Sequence, residues 1–421
     1  MDRRQFLAAA AALATTQTVR AAEPRERREP IESVYERLDA AAARPVLRTD
    51  LFPSPVRIAS VELLRSPNGF HYVCRVRSTD GGEGLCLGHS WRMRYLHPIQ
   101  TQQVQPFFVG KDARDLDALI DGVYLANNNY KLQNMALWIP VATVELAILD
   151  LLGNMAGRPM GELVSETLHR DRISVYRANN LRGKSAAESV EIMRDRVRQT
   201  GAKAIKIKIG GRMRATEQPP GRTERLIPLV RESFGDEMTL FADANGAYAA
   251  AEAVRIGRVL QEHRYSLFEA PVPFDWYEDI LRVGQSLDIR TAGGGQEPSL
   301  RNFRWLIAHG GFDVYQQDLF YFGGMVRCIR VARMAAAAGY EVMPHISNTG
   351  LGFLYMLHFV SAIPNAARFH ELKDLDDGIP VTGDRDVPLR PANGKMPVPT
   401  GAGDGVTIDP GWLAAFRPVT A

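Results

Sequence analysis

The segment "GAKAIKIKIGG", residues 201–211, decides how this chain folds, because it places Lys206 and Lys208 in an otherwise apolar run. Alternate residues of a β-strand face opposite sides, so the two lysines share one face and the three isoleucines share the other. If the lysines face water, the segment is an ordinary amphipathic strand. If the isoleucines pack beneath helices, two ammonium groups point inwards, and this requires a chemical reason.

The pattern from residue 173 onward favours the second alternative. Eight short apolar runs follow one another, namely "ISVYRA", "AIKIKIG", "TLFADANG", "SLFEAPVP", "IRTAGGGQE", "VYQQDLFYFGG", "YEVMPHIS" and "RFHEL". Helical segments are predicted between them at 185–199, 222–234, 249–263, 275–287, 299–309, 324–338 and 351–362. This alternation is typical of a parallel sheet, and eight strands indicate an α/β barrel of the TIM type. In such a barrel the isoleucines lie under the helices and the two lysines point inwards.

The part of the chain before residue 173 has a different organisation. Residues 57–90 contain β-rich runs separated by the turn signals "PNG" and "DGG". Residues 111–165 show apolar residues at helical spacing, with glycine at the end. Strands followed by helices predict a separate α+β domain ahead of the barrel.

The first 22 residues have the organisation of an export signal. Arg3 and Arg4 precede a short alanine-rich apolar core, and small residues follow around 19–22. Paired arginines before a weakly apolar core are typical of the twin-arginine route, so we expect a periplasmic protein. The alternative is an amphipathic N-terminal helix in which the two arginines occur by chance.

Composition excludes several classes of protein. The chain has 421 residues with 45% hydrophobic and 24% charged residues, and its formal net charge is +3. These percentages are typical of globular proteins, and basic and acidic residues are too evenly balanced to indicate a nucleic-acid partner. We find no apolar run of the ~18 residues that a membrane span needs, so no membrane association is expected once the leader is removed. The three cysteines leave open whether Cys74 and Cys86 form a disulfide bridge. The sequence contains no C-x-x-C motif, so a thiolate zinc site is not supported.

Charged residues occupy successive strand ends of the predicted barrel, where such barrels carry their chemistry. In chain order they are Lys206, Lys208, Asp243, Glu269, Glu297, Asp318, His345 and Glu371. Acids and lysines are almost never fully buried without a partner. These groups must therefore neutralise one another or bind a cation.

Three consecutive strand ends carry the carboxylates Asp243, Glu269 and Glu297. Oxygen ligands of this kind are what Mg²⁺ prefers, so we predict a magnesium site. The alternative is that the three carboxylates only form structural salt bridges with lysines and arginines.

Two groups are candidate bases. Lys208 can accept a proton if a neighbouring cation, Lys206, the predicted metal ion and partial burial lower its pKa. His345 can do so if Asp318, one strand earlier, orients its imidazole through the other ring nitrogen.

The ordered set of these residues resembles the mandelate racemase branch of the enolase superfamily. "VELAILDLLGNMAGRP" is similar to the helix at that family's domain junction, and "DANGAY" and "PHISNTGLG" are similar to its barrel signatures. The resemblance covers nearly all of residues 57–410. It implies an α+β capping domain over 57–170, a modified barrel over 171–372 and a C-terminal return to the cap over 373–421. The leader predicted over 1–22 and a linker or extension over 23–56 precede these.

The resemblance also implies a role for each residue. Asp243, Glu269 and Glu297 would bind Mg²⁺, Lys208 would be one base, and His345 with Asp318 would be the other base or acid. Lys206 would hold the substrate carboxylate or tune Lys208, and Glu371 would donate to a carboxylate oxygen. The implied chemistry is removal of the proton α to a carboxylate through an ene-diolate.

The fate of that intermediate is left open by these residues. Dehydration of a sugar acid to a 2-keto-3-deoxy acid is the expectation, because such dehydratases are common in this branch. Racemisation or epimerisation of a 2-hydroxy acid on the same site is the alternative. A non-catalytic periplasmic binding protein is a more distant one. We also expect a homo-oligomer that acts on a small carboxylate.

Two groups of residues are candidate substrate contacts. Arg177, Asn179 and Asn180 end the first barrel strand. The segment 88–98 of the cap offers His89, Arg92, Arg94 and Tyr95, which suit a polyhydroxy or second acidic group. The alternative for this segment is a solvated loop that contacts nothing.

Overall fold

The computed structural model describes residues 29–348, 350–373, 381–382 and 391–420. The leader predicted over residues 1–22 lies outside the described residues. Residues from Ile31 onward form one compact unit.

The first part of this unit is a small sheet covered by helices. Its elements are α1 (Ile31–Ala43), β1 (Ile58–Arg65), β2 (Tyr72–Ser78), β3 (Glu83–Leu87), α2 (Ser90–Ile99), α3 (Gln105–Phe108), α4 (Leu116–Leu125), α5 (Met135–Ala156) and α6 (Met160–Val164). The three strands form an antiparallel meander. The C-terminal residues Arg417–Pro418 pair with β1, so the end of the chain returns to this sheet.

A parallel sheet with helices between its strands makes up the second part. In chain order it contains β4 (Arg172–Ala178), α7 (Ala186–Thr200), β5 (Ala204–Lys208), α8 (Arg222–Phe234), β6 (Thr239–Asp243), α9 (Ala250–Glu262), β7 (Leu267–Glu269), α10 (Tyr277–Gln285), β8 (Arg290–Gly293), α11 (Leu300–His309), β9 (Val314–Tyr315), α12 (Met325–Ala337), β10 (Glu341–Val342), α13 (Gly352–Ala362) and β11 (His370–Leu372). The strands lie in the spatial order β10-β9-β8-β7-β6-β5-β4-β11. The predicted fold class is confirmed, and every predicted barrel strand and helix is present.

The side chains of β5 alternate as expected for a strand whose lysines point inwards. Ile205 and Ile207 belong to the apolar core beneath the helices. Ala204, which shares the lysines' face, packs with Tyr176 and Phe241 in a separate cluster of inward-facing side chains. The opening segment is therefore not a strand with one solvated face.

Helix α7 shows how local sequence sets the boundaries of these elements. Ser185 and Glu188 form a reciprocal capping box at its start. Gly201 follows its last turn with φ +65°, a left-handed conformation that favours glycine. The chain can therefore turn directly from α7 towards β5.

The long helix α5 joins the two parts of the unit. By length and composition this helix could cross a membrane, so the prediction that no apolar run has this length is wrong. In the protein, however, 89% of its most apolar 18-residue stretch is buried. Asp150 on this helix accepts a hydrogen bond from Leu85 N of β3 and another from Asp404 N, both at 2.8 Å. A core helix with polar links to the sheet and the C-terminal segment explains the apolar run.

The structure corrects two smaller points and answers one question that the sequence left open. Residues 31–43, predicted as part of an extension, form α1, and Arg304 of α11 pairs with Asp39 in it. The segment 88–98, considered as a loop, is largely helix α2. Cys74 and Cys86 lie opposite each other on β2 and β3, and both are free thiols.

We predict that Glu145 of α5 makes stability depend on pH. Its side chain is buried, its Oε1 accepts a hydrogen bond from Val326 N at 2.8 Å, and burial raises its pKa from 4.5 to about 8. Between these values the folded state holds a proton that the unfolded state releases. The free energy of unfolding therefore falls as pH rises, by about 1 kcal/mol per pH unit for this group. Glu145→Gln should remove this component in denaturation curves measured from pH 5 to pH 8.

Glu191→Gln is the matched control for this prediction, because Glu191 is an exposed acid on α7. Its stability should follow pH as the wild type does. An equal slope for wild type and Glu145→Gln would contradict the prediction.

Candidate active site

A cavity of about 740 Å³ opens at the C-terminal ends of the barrel strands. Each of the eight strands contributes to its wall, through its last residues or those that follow. Lys208, His345 and Glu371 belong to this wall, and α2 of the cap adds Trp91 and Arg92. The cavity is therefore enclosed by barrel and cap together, in the position where barrels of this type carry their chemistry.

Lys206 is completely buried beneath this cavity among three carboxylates. Its Nζ lies 2.7 Å from Glu269 Oε2, 3.2 Å from Glu371 Oε1 and 3.7 Å from Asp243 Oδ2. Burial alone would lower the pKa of Lys206, but the surrounding carboxylates, Glu269 and Glu371 foremost, raise it well above its ordinary value. The side chain is a fixed cation.

Lys208, two residues later on the same face, reaches the cavity. Its ammonium group donates to Asp243, and about a tenth of its side chain is exposed. Burial lowers the pKa of Lys208; Asp243 opposes this shift and Lys206 adds to it. The net pKa lies below the ordinary lysine value, which is the direction a general base requires.

The acids of this cluster differ in their pKa values. Burial raises the pKa of Asp243, but Lys208 and Lys206 outweigh it and hold the pKa below its usual range. Burial and the neighbouring Asp243 charge raise the pKa of Glu269 despite Lys206. The pKa of Glu371 also lies below its usual range, because Lys206 and Lys373 outweigh its burial. The cluster is a compact set of opposite charges.

His345 and Asp318 form the expected pair on the other side of the cavity. The Nδ1 atom of His345 lies 2.8 Å from Asp318 Oδ2. Asp318 is held in turn by Ser347 Oγ at 2.9 Å and by the backbone N–H groups of Phe320 and Tyr321. These contacts fix the carboxylate and leave Nε2 as the ring atom available for proton transfer.

Glu297 is not brought to the other two predicted metal ligands. Its carboxylate accepts hydrogen bonds from Tyr277 OH at 2.5 Å and from Asn302 Nδ2 at 3.1 Å. The physical reason is the path of the chain: β8 ends at Gly293, and Glu297 lies beyond it in the segment just before α11, where the backbone N–H of the N-cap residue Ser299 also donates to it.

The donor set therefore does not fit the predicted three-carboxylate magnesium site. Within the described ranges, no three side chains of Asp, Glu, His or Cys are grouped so that they could hold a metal ion. Asp243 and Glu269 occupy neighbouring strand ends, in register with each other, but both are engaged by lysines.

The predicted substrate contacts divide into two groups. Arg177, Asn180 and Arg92 belong to the cavity wall. Asn179 does not: it is buried, and its Oδ1 accepts a hydrogen bond from Arg196, which lines the cavity. Asn179 thus supports a cavity residue from behind.

Arg94 and Tyr95 also lie outside the wall, which corrects their prediction as substrate contacts. Arg94 packs over the rings of Phe70 and Trp91, and Tyr95 is 57% exposed and accepts a hydrogen bond from Arg92. Residues two apart on a helix point about 200° apart. When α2 directs Arg92 at the cavity, it directs Arg94 away from it.

Several wall residues were not predicted from the sequence. They are Trp91, Arg196, Arg212, Tyr321, Ser347 and Lys373. Tyr321 lies with its ring centroid 5.9 Å from that of His345. Tyr321 and Ser347 follow Asp318 and His345 by two or three residues, and this proximity was a usable signal. Arg196 is on a helix, and only the tertiary structure shows that it reaches the cavity.

This arrangement can move a proton on either side of a bound molecule. A lysine with a lowered pKa and an oriented histidine line the same cavity, from β5 and from the segment after β10. Arginine and lysine side chains around them favour an anionic ligand. Acid–base chemistry on an anion is therefore what the site supports.

The chain matches a family model and several known proteins. Residues 188–412, more than half of the chain, match the family model described as enolase C-terminal domain-like. The chain is 25% identical over 392 residues to arabinonate dehydratase of Saccharolobus solfataricus, covering 92% of this chain and 96% of that protein. It is also 25% identical over 392 residues to D-galactarolactone cycloisomerase of Agrobacterium fabrum, covering 89% and 98%.

A solved structure has the same fold. It is the mandelate racemase/muconate lactonizing protein from Paracoccus denitrificans complexed with magnesium, at 25% identity and a TM-score of 0.77. The match covers 87% of this chain and 99% of that one.

We predict that Lys206 is essential for stability. Lys206→Met leaves Asp243, Glu269 and Glu371 buried without their shared cation. Breaking a buried ion pair in this way costs about 3–5 kcal/mol of unfolding free energy. Lys203→Met is the matched control, because Lys203 precedes the same strand and is exposed. Chemical denaturation of both variants checks the prediction, and equal losses of stability would refute it.

Proposed function

This chain belongs to the enolase superfamily, in its mandelate racemase-like branch, and we propose that it is a lyase that dehydrates a sugar acid to a 2-keto-3-deoxy acid. The observation that carries the proposal is that Lys208 and the His345–Asp318 pair line one cavity. The dehydratase and cycloisomerase named above support a carbohydrate-derived acid as the substrate class.

Lys208 takes the proton from the carbon next to the substrate carboxylate. Burial lowers the pKa of its ammonium group, so a neutral amine is more accessible than at an exposed lysine. Lys206 does not line the cavity and is saturated by carboxylates. Of its two implied roles, this geometry supports tuning of Lys208 rather than direct contact with the substrate.

His345 acts as the acid that helps the β-hydroxyl leave. Asp318 fixes the imidazole at Nδ1, so the proton is delivered from Nε2. Loss of that hydroxyl as water gives the enol that becomes the keto acid. If His345 instead returns a proton to the α-carbon, the product is the epimer. Epimerisation is therefore the second candidate, favoured by the presence of acid–base groups on two strands.

Cations of the cavity wall hold the anionic substrate. Arg92, Arg177 and Lys373 come from the cap, the first barrel strand and the segment after the last one. They can neutralise the substrate carboxylate and the charge that develops on it as the proton leaves. A magnesium-bound neighbour supports metal assistance in principle, but the carboxylates of this chain do not form the predicted set, and no step here depends on the ion. A non-catalytic binding protein would not need the oriented His345–Asp318 pair.

The proposal predicts a specific loss in two variants. Lys208→Ala and His345→Asn should each lower the rate of keto-acid formation from aldonic and aldaric acids by about 10²-fold to 10⁴-fold, because each removes one proton-transfer group. Substrate affinity should be largely retained. A panel of sugar acids assayed for 2-keto acids, with calorimetric binding in parallel, makes this measurement.

Lys203→Ala and His169→Asn are the matched controls, since both residues are exposed and lie outside the cavity wall. Both should keep wild-type rates. Formation of keto acid at an unchanged rate in Lys208→Ala or His345→Asn would count against the proposal. Interconversion of C2 epimers without keto acid would favour the second candidate.

We also propose that the protein is exported by the twin-arginine route to the periplasm, on the evidence of residues 1–22 alone. Replacing Arg3 and Arg4 by lysines should leave the unprocessed precursor in the cytoplasm. Fractionation of cells that express either the wild type or the lysine variant measures where the protein accumulates. Unchanged periplasmic recovery of the lysine variant would disprove the route.

A further inference from the structure

Glu297 is part of a closed network in the helix layer. Tyr277 of α10 donates to its Oε2, and Asn302 of α11 donates both to its Oε1 and to the Tyr277 hydroxyl oxygen, at 3.1 and 2.8 Å. Ser299 N, at the start of α11, also donates to Oε1 at 2.8 Å. The side chain is 2% exposed. Both carboxylate oxygens thus have partners that tie α10 to the first turn of α11.

The residue after β8 that does face the site is Gly295. A Cβ atom built there would lie 3.0 Å from His345 Cβ, so any side chain at this position would point at the histidine. The space beside it is a cavity of about 20 Å³, whose lining includes Glu269, Gln316 and His345. That is room for about one water molecule. The segment after β8 therefore presents no carboxylate at this point.

The charges around the remaining carboxylates are already balanced. Asp243 and Glu269 face the ammonium groups of Lys206 and Lys208, and Glu371 faces Lys206 and, at 3.9 Å, Lys373, so three carboxylates meet three ammonium groups. A divalent ion placed between Asp243 and Glu269 would meet two neighbouring cations and only two carboxylates. Magnesium in proteins is held by oxygen ligands whose negative charge offsets its own.

We propose that Lys206 is the resident cation of this strand-end site, that the chain binds no divalent ion at Asp243 and Glu269, and that Glu297 anchors α11 instead of ligating a metal. This departs from the magnesium-bound structural neighbour. It concerns ion binding alone and holds whether or not the proposed dehydration is correct.

Calorimetric titration of the EDTA-treated, dialysed protein with MgCl₂ tests the inference without any substrate. The expected result is no saturable heat, and a Tm that shifts by less than about 1 °C at roughly 5 mM Mg²⁺. Saturable one-to-one binding that Asp243→Asn abolishes would overturn the inference, whatever the catalytic activity of the protein.

Variants of the helix-layer network give an independent measurement. Glu297→Gln should lower Tm by about 2–5 °C, equally with and without Mg²⁺. Tyr277→Phe should also lower Tm, and the double variant should lose less than the sum of the single losses, because the two groups share one network. Glu278 is an exposed acid on α10, the helix that carries Tyr277, and Glu278→Gln should leave Tm unchanged. A Glu297→Gln protein with wild-type Tm and altered Mg²⁺ binding would overturn the assignment.

Discussion

The buried ammonium group of Lys206 is the interaction on which the rest of the site depends. It joins carboxylates from the ends of β6, β7 and β11, which are distant in sequence. A single buried charge of either sign is costly, whereas a compensated cluster is tolerated. Burial is the main cause that lowers the pKa of Lys208; the charge of Lys206 adds to this shift, and the carboxylates Asp243, Glu269 and Glu371 oppose it. Lys206 therefore contributes both to the stability of the barrel mouth and to the reactivity of the base.

Much of this could be predicted from the sequence because barrels impose strict periodicity. The alternation of isoleucine and lysine over 205–209 puts the lysines on one face, the repeat of strands and helices makes that face the inward one, and one ionisable residue per βα unit identifies the strand ends. The His345–Asp318 pair and the cluster around Lys206 follow from that register. The start of a helix could also be predicted where local side chains set it, as the capping box of Ser185 and Glu188 does for α7.

Side chains beyond the ends of strands could not be placed in this way. Glu297 and Gly295 are two residues apart, and only the path of the chain after β8 shows that the glycine faces His345 while the acid joins Tyr277 and Asn302. Arg94 was misplaced because the segment that carries it is a helix, whose rotation directs Arg94 away when Arg92 reaches the cavity, and Tyr95 is hydrogen-bonded to Arg92 and largely exposed. Tertiary geometry, rather than residue type, determines these roles.

The central claim is that Lys208 removes the proton next to a carboxylate while His345 completes the reaction from another strand. Exchange of the C2 hydrogen of a bound sugar acid with D₂O, followed by NMR, tests it most directly. The account predicts that His345→Asn still incorporates deuterium at C2 and that the double variant with Lys208→Ala does not. Equal incorporation by both proteins, or none with any sugar acid that His345→Asn binds, would contradict the account.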